Sequence, residues 1–326
     1  MSDKPVDRAA GPISTAFVLG AGLGTRLRPL TDSRPKPLVP VFNKPLITFA
    51  FDHLMDAGVQ KFVVNTHHRP EAYGSLLGAS QGRGDYRGRE VFFRHEPVLL
   101  ETGGGIKNAA DLLGDEPFLV YNGDVLADFP LGPLIRAHSG SGNIATLALR
   151  SSGAERRIQF DVDSGLVTDM RGLIGGRPEP AFLFTGVSIV SPEIHKHIGD
   201  GQIVSIIPVL IDLMRRGARV GGVVVDEGVW FDIGNIGAYL EVHKILAGDA
   251  HRFSYLPEDW WQVVAPGAVV DPSATLTGGT AVGEGAIVGE GAILEDVVVW
   301  PGEIVEPSTR LCRVVLAVGR MCESVG

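Results

Sequence analysis

Apolar and polar positions along the chain fall into two regimes that meet near residue 262. Before that point, short Val, Leu and Ile runs alternate with segments of helical spacing. Residues 16–19, 62–65, 118–121 and 145–149 read as buried strands, because each is apolar at nearly every position. Between the first two, residues 46–57 carry the spacing of a helix and are closed by Gly58, a common residue just past a helix C-terminus. Strand, helix, strand in that order predicts a βαβ unit. The expected fold is a Rossmann-like α/β domain, its mixed and mostly parallel sheet covered by helices on both faces.

After residue 262 a period of six takes over. Val264, Val270, Leu276, Val282, Val288, Leu294 and Trp300 stand at every sixth position, with Gly, Pro, Glu and Ser between them. A helix cannot hold that pattern, since a step of six drifts around its axis and the glycines weaken it. A coil of short parallel strands can hold it, each hexapeptide forming one side of a triangular rung with its aliphatic residue turned inward. Residues 282–287 and 288–293 repeat the same six letters. Past Trp300 the register slips: Val305 and Leu311 keep the step but are displaced by one, which suggests a terminal cap or loop. The chain thus divides into a flexible tail (1–14), a first domain (15–248), a linker (249–261) and a small left-handed parallel β-helix of hexapeptide repeats (262–326). A coil of little more than two rungs exposes much surface for its core. It must pack on the first domain or on a second copy, and a homo-oligomer is expected.

Composition narrows the partners. The 326 residues leave room for about two domains. With 44% hydrophobic and 21% charged residues, a sizeable core forms and wholesale disorder is excluded. Lys and Arg number 29 against 38 Asp and Glu, a net charge of -9, which argues against a general nucleic-acid binder. Cys312 and Cys322 can neither staple a chain of this length nor form a four-cysteine zinc site, and they fit a reducing compartment. No stretch approaches the ~18 apolar residues of a membrane span, and residues 1–14 lack the apolar core of a signal peptide. A cytoplasmic protein with neither membrane nor nucleic-acid partner is expected.

The chemistry concentrates just after the first strand, in Leu19-Gly20-Ala21-Gly22-Leu23-Gly24-Thr25-Arg26-Leu27-Arg28. Glycines there let the backbone approach a ligand and aim N–H groups at phosphate oxygens. The dinucleotide fingerprint fails, because its last glycine is Thr25 here, and the Gly-Lys-Ser/Thr of an ATP-binding loop is absent. Instead Arg26, Arg28, Arg34 and Lys36, the last held between Pro35 and Pro37, place four cations within eleven residues of an acidic protein. That predicts a polyanion site; the alternative is a glycine turn with solvated arginines.

Two aspartates match it. Asn122-Gly123-Asp124 closes the strand from Phe118, where open α/β sheets place ligands. Trp230-Phe231-Asp232-Ile233-Gly234 offers a second carboxylate. One or two carboxylates completed by substrate phosphates and water suit Mg²⁺, although either Asp alone reads as an ordinary turn residue. Glu101-Thr102-Gly103-Gly104-Gly105 precedes a helix-like 106–113; its glycines would let a flat base lie against the backbone, or simply form a turn. His67-His68 reads as exposed loop, and Trp260-Trp261 as a plug between the domains.

The run from Gly20 to Thr31, with Pro35-Lys36-Pro37-Leu38-Val39-Pro40, resembles the signature of sugar-1-phosphate nucleotidyltransferases. Asn122-Gly123-Asp124, Phe184-Thr185-Gly186-Val187 and Trp230–Gly234 follow in that family's order, over about residues 15 to 247. The resemblance implies that a sugar 1-phosphate attacks the α-phosphorus of a nucleoside triphosphate, giving a nucleoside diphosphate sugar and pyrophosphate. It implies that Arg26 grips the triphosphate, Lys36 bridges the α-phosphate and the sugar phosphate, and Asp124 and Asp232 hold Mg²⁺. The nucleotide would lie along Leu19, Gly20, Ala21, Gly22, Gly24, Thr25, Thr102, Gly103 and Gly123. Asn122, Thr185 and Gly186 would face the sugar. One departure stands out: many members carry Glu-Lys-Pro ahead of the strand at 182–189, whereas residues 171–180 here hold no lysine. Arg156, Arg157 or Arg177 could substitute. The wording is similar both to N-acetylmuramate 1-phosphate uridylyltransferases and to mannose-1-phosphate guanylyltransferases. Two other classes compete: a non-catalytic binder of nucleotide sugars, and a coil acting as an acyltransferase. Retention of both carboxylates argues against the first. The second would need a histidine base, and the last histidine, His251, precedes the coil.

Overall fold

The chain is described by a computed structural model covering residues 13–78, 80, 82–175, 180–248, 253–258 and 260–323. Most of the expected tail, part of the expected linker and Arg177 lie outside the described residues. The first apolar run is β1 (Thr15–Leu19). After two 3-10 turns, at Thr25–Leu27 and Lys36–Leu38, a hairpin of β2 (Pro40–Val41) and β3 (Lys44–Pro45) leads into α1 (Leu46–Asp56). Then come β4 (Lys61–Thr66), α2 (Glu71–Leu77), β5 (Arg83–Tyr86), β6 (Arg89–His95), α3 (Glu101–Asn108) and α4 (Ala110–Leu113). They are followed by β7 (Phe118–Asn122), β8 (Val125–Ala127), α5 (Gly132–His138), β9 (Ala145–Arg150), β10 (Arg156–Asp161) and β11 (Leu166–Met170). The domain closes with β12 (Ala181–Val190), α6 (Ile206–Arg215), β13 (Val220–Val224), β14 (Trp230–Asp232) and α7 (Ile236–Ala247).

Ten strands form one sheet in the order β10-β11-β13-β9-β12-β7-β1-β4-β6-β5, with a separate core cluster on each face. Its β7-β1-β4-β6 stretch and the β13–β9 pair are parallel, and the other neighbours are antiparallel. The expectation of a mostly parallel sheet is therefore corrected to an evenly mixed one. A crossover helix separates β1 from β4, whereas short turns join β5 to β6 and β10 to β11, and strands joined that way must run antiparallel. Helix α1 is buried from Leu46 to Leu54, and its polar groups are matched. Asp52 accepts from Lys44 Nζ (2.6 Å), Arg87 Nη1 (2.8 Å) and the Tyr86 hydroxyl (3.0 Å). Burial pushes the His53 pKa down to about 4, so its imidazole is neutral there.

The C-terminal segment is a three-sided parallel coil. Strands at 269–270, 287–288 and 304–305 stack on one side, 275–277, 293–295 and 310–312 on the second, and 281–282, 298–299 and 314–317 on the third. The inward residues run Val282, Val288, Leu294, Val299 and Val305, so the step from Leu294 to the next inward position is five. This corrects two expectations. The slip is a shortened corner inside the coil, before Trp300, and not a cap. A bridge pairs Val264 with Val282, so the coil runs three turns, and it ends in an antiparallel hairpin at Arg320–Glu323. Trp300 points outward, onto the first domain. There it joins Ala281, Val298, Val315, Tyr239 and Leu240 in a shared core, beside Trp260 and Trp261. Among the described residues, no helix is long and apolar enough to cross a membrane.

Candidate active site

Because β1, β4 and β7 are parallel, Leu19, Thr66 and Asn122 end at one edge of the sheet, where open α/β sheets bind ligands. The glycine loop leaves from that edge. Gly20 donates its N–H to Asn65 Oδ1 (2.8 Å), its carbonyl accepts from the Tyr73 hydroxyl (2.9 Å), and a Cβ there would stand 2.7 Å from Asn65 O. Gly24 has a φ of 61°, and a Cβ would meet Thr31 Cγ2 at 2.9 Å and Lys36 Cβ at 3.0 Å. A Cβ on Gly123 would lie 2.5 Å from Leu19 O. At these three glycines the missing Cβ makes room for the loop's own supports. Gly22 is the open one, with nothing near its missing Cβ. Thr25 opens an exposed 3-10 turn.

The next element aims a lysine inward. Lys36 is buried in a 3-10 turn between prolines, and its Nζ lies 2.7 Å from Asp124 Oδ2 and 3.6 Å from Asp232 Oδ1. The two aspartates meet because β8 and β14 pair antiparallel, placing Asp232 opposite Val125. Of the other cations, Arg26 reaches the same region: a Cβ on Gly234 would come within 3.2 Å of its Nη1. Arg28 instead pairs with Asp32 (3.3 Å), and the Arg34 guanidinium lies over the Trp300 ring, 5.1 Å from its centroid. Two of the four expected cations thus serve elsewhere.

Two cavities meet at this cluster. One, of about 330 Å³, is bounded by Leu19, Ala21, Gly22, Lys36, Asn65, Leu99, Glu101, Thr102, Asn122, Asp124 and Ser205. The other, of about 460 Å³, is bounded by Arg26, Asn122, Asp124, Glu155, Phe184, Thr185, Gly186, Trp230 and Asp232. They share Asn122 and Asp124, so the carboxylate stands at the waist of one cleft.

The triple glycine lies within a helix, not ahead of one, because α3 begins at Glu101. Each glycine admits a different neighbour: a Cβ would stand 2.9 Å from Val204 O at Gly103, 2.1 Å from Gln202 O at Gly104 and 2.8 Å from Glu96 Oε1 at Gly105. Gly103 and Gly104 donate to Val204 O (2.8 and 3.0 Å), which leaves the wall to Glu101 and Thr102. Sequence reasoning missed the group that sets this helix start. Glu96 is fully buried, accepting from Asn65 Nδ2 (2.8 Å) and Leu100 N–H (2.9 Å), and so ties the glycine loop to α3. His67 and His68 also stitch loops, bonding Glu96 O (2.7 Å) and Thr31 O (3.0 Å).

On the other lobe, Gly186 has a φ of 81° and a Cβ would lie 2.5 Å from Asn122 Nδ2, so the two residues abut. Thr185 bounds this lobe, while its buried hydroxyl donates to Ala148 O (2.9 Å) and its carbonyl accepts from Trp230 Nε1 (2.8 Å). Arg156 donates to Ser151 O (3.1 Å) and Arg157 pairs with Glu155 (2.8 Å), which itself lines the lobe. Among the described residues, no group of three or more His, Cys, Asp or Glu could hold a metal. Asp124 and Asp232 do present hard oxygens to one point, so a divalent ion would need substrate phosphates to complete its shell.

The nucleotidyl transferase family matches residues 15–162. The N-acetylmuramate alpha-1-phosphate uridylyltransferase of Neisseria meningitidis is 34% identical over 240 residues, 72% of this chain and 98% of that protein. The catalytic subunit beta of mannose-1-phosphate guanylyltransferase from Dictyostelium discoideum is 30% identical over 67% of this chain and 60% of its own. The solved UDP-glucose pyrophosphorylase of Acinetobacter baumanii shares the fold, with a TM-score of 0.61 at 19% identity over 73% of this chain and 95% of that one. The match to these relatives over more than two thirds of the chain, on a chain whose cleft holds a glycine loop, a buried lysine and paired carboxylates, places it in the nucleotidyl transferase family as a sugar-1-phosphate nucleotidyltransferase.

Proposed function

We propose that this enzyme transfers a uridylyl group from UTP to N-acetylmuramate 1-phosphate, releasing pyrophosphate. The observation that carries the reaction is the convergence of Lys36 on Asp124 and Asp232 at the waist between two lobes. One lobe takes the nucleotide, along Leu19, Ala21, Gly22 and Thr102; the other takes the sugar, beside Asn122 and Gly186. The attacking phosphate is already an anion, so no strong general base is required, and catalysis is chiefly positioning and charge neutralisation. Lys36, fixed by its two carboxylates, bridges the α-phosphate and the incoming sugar phosphate. Arg26, with no ion pair among the described residues, faces the negative charge that builds on the leaving pyrophosphate. Asp124 and Asp232 would hold Mg²⁺ together with phosphate oxygens, and the ion would supply further charge neutralisation. Support for the uridylyl reading is the near full-length match of two relatives with that name, at 34% and 35% identity.

A second reading, guanylyl transfer to mannose 1-phosphate, has one observation in its favour. Glu155 lines the sugar lobe, and a carboxylate there suits a neutral hexose better than a sugar bearing its own carboxylate. We further propose a left-handed winding for the coil, a cytoplasmic location where nucleotides and sugar phosphates occur, and a homo-oligomer formed through the coil. Its outer positions Val269, Ile287 and Ile304 are exposed and stack in register along one side. The deciding experiment measures pyrophosphate release from ATP, CTP, GTP, UTP and dTTP, each with several sugar 1-phosphates and Mg²⁺. UTP with N-acetylmuramate 1-phosphate should be the best pair. Preference for GTP with mannose 1-phosphate selects the second reading, and no release with any pair overturns both.

A further inference from the structure

The coil touches the loop that carries Lys36. Resting on the role of Lys36 given above, we infer that Trp300, a coil residue far from the cleft in sequence, is a positioning residue for that lysine. On one side of Lys36 the loop packs on this indole, and on the other it is held by Tyr239, whose hydroxyl the indole supports. Two residues before the lysine, the Arg34 guanidinium lies over the Trp300 ring, 5.1 Å from its centroid. Four residues after it, the Pro40 carbonyl accepts from the Tyr239 hydroxyl, which in turn accepts from Trp300 Nε1 (3.2 Å). Trp300 and Tyr239 are both buried, so these contacts are shielded from water and no solvent molecule replaces them readily. The strap continues beyond Pro40: the Phe42 N–H donates to His243 Nε2 (3.2 Å), and Asn43 Nδ2 donates to the coil carbonyl of Val282 (3.3 Å).

Lysine needs such help. Its four-carbon stem is flexible, and a displacement of about 1 Å at a reacting centre costs on the order of a hundredfold in rate. Here the stem is short of freedom because its backbone is pinned from behind, while Asp124 and Asp232 hold only the ammonium end. The chemistry in itself does not require a coil, since 240 residues span 98% of the Neisseria relative. What the coil adds in this chain is restraint on the lysine loop.

The test uses the full-length enzyme, its best substrate pair, and the variants Trp300→Phe, which keeps a ring but loses the N–H, and Arg34→Gln, which leaves the coil core untouched. The readouts are kcat, KM for the nucleotide, and the rate at which an N-hydroxysuccinimide ester acetylates Lys36, followed by peptide mass. For each variant, kcat should fall about threefold to tenfold, the value of one buried hydrogen-bonded contact, with KM within about twofold. Lys36 should acetylate severalfold faster while Lys61 is unchanged. A merely structural role would lower the folded fraction without changing Lys36 reactivity in the folded enzyme. Unchanged kcat or unchanged Lys36 acetylation in both variants overturns the inference. Lys36→Met separates this from the reading beneath it: full activity in Lys36→Met removes the lysine from the mechanism. Loss there, with Trp300→Phe and Arg34→Gln both at parental rates, removes only the role of Trp300.

Discussion

Replacing Lys36 by methionine keeps an unbranched side chain only one atom shorter and removes its charge, which makes the change a clean probe of the waist of the cleft. Two effects have to be separated. For stability, the lysine side chain is 8% exposed but its partners Asp124 and Asp232 are 34% and 44% exposed, so solvent screens both pairs. Their combined contribution to folding is then within about 1 kcal/mol, and the thermal midpoint should move by no more than about 2–4 °C. For turnover, the role proposed for Lys36 sets the same ammonium against charge that develops on the transferring phosphate inside a partly enclosed cleft. Removing one preorganised donor of that kind costs about 10²–10³ in kcat, or roughly 3–4 kcal/mol. The two carboxylates also lose the cation they share, so Mg²⁺ half-saturation should shift to lower concentration even as turnover is lost. Pyrophosphate release at saturating substrates, a magnesium titration and a thermal melt measure the three quantities. A kcat within about threefold of the parent would refute the reasoning, and so would a collapse of the melt with the activity, which would make the lysine a folding element.

Four further outcomes are expected. Gly104→Ala puts a Cβ 2.1 Å from Gln202 O, so α3 must shift; a loss of about 1–3 kcal/mol in a denaturant titration is expected, and an unchanged midpoint contradicts the packing role of the triple glycine. Thr185→Val removes the hydroxyl that Ala148 O accepts from and should cost about 1–3 kcal/mol of stability, with KM for the sugar phosphate unmoved; a raised KM would return Thr185 to the sugar. Burial pushes both His53 and His243 down from 6.5 to about 4, so the unfolded chain takes up protons first as pH falls. Their contribution is complete above pH 6.5 and is lost progressively towards pH 4, each by up to ~1.4 kcal/mol per pH unit; a denaturation midpoint that stays flat from pH 7 to pH 5 rules this out. Ile287→Glu places a charge in the exposed row on the coil and should lower the mass seen by light scattering, whereas an identical mass removes that face from assembly.

What the sequence made legible, and what it concealed, follows from the range of each signal. Local periodicity is a short-range property, so the strands at 16–19 and 118–121, the helix after Pro45 and the six-residue coil could all be read directly. The glycines carry a less specific signal. A glycine reports only that something comes close, and at Gly20, Gly103, Gly104 and Gly123 that something is the protein's own backbone or hydroxyl. Nothing in a linear string distinguishes Val204 O from a nucleobase. Charge was similarly ambiguous: Arg34 and Lys36 look equivalent as two cations either side of Pro35, yet one turns to Trp300 and the other to Asp124. The choice is made by residues more than 80 positions away, through the pairing of β8 with β14 and the docking of the coil on α7. Glu96 was invisible for the same reason, since an acid within a polar stretch reads as surface until Asn65 and Leu100 are seen to enclose it. The register slip is the instructive case. A five-residue step at Leu294–Val299 shortens one corner and turns Trp300 from the coil interior to the outside. A single missing residue thereby converts a core position into the contact that reaches the loop carrying Lys36, and that consequence exists only in three dimensions.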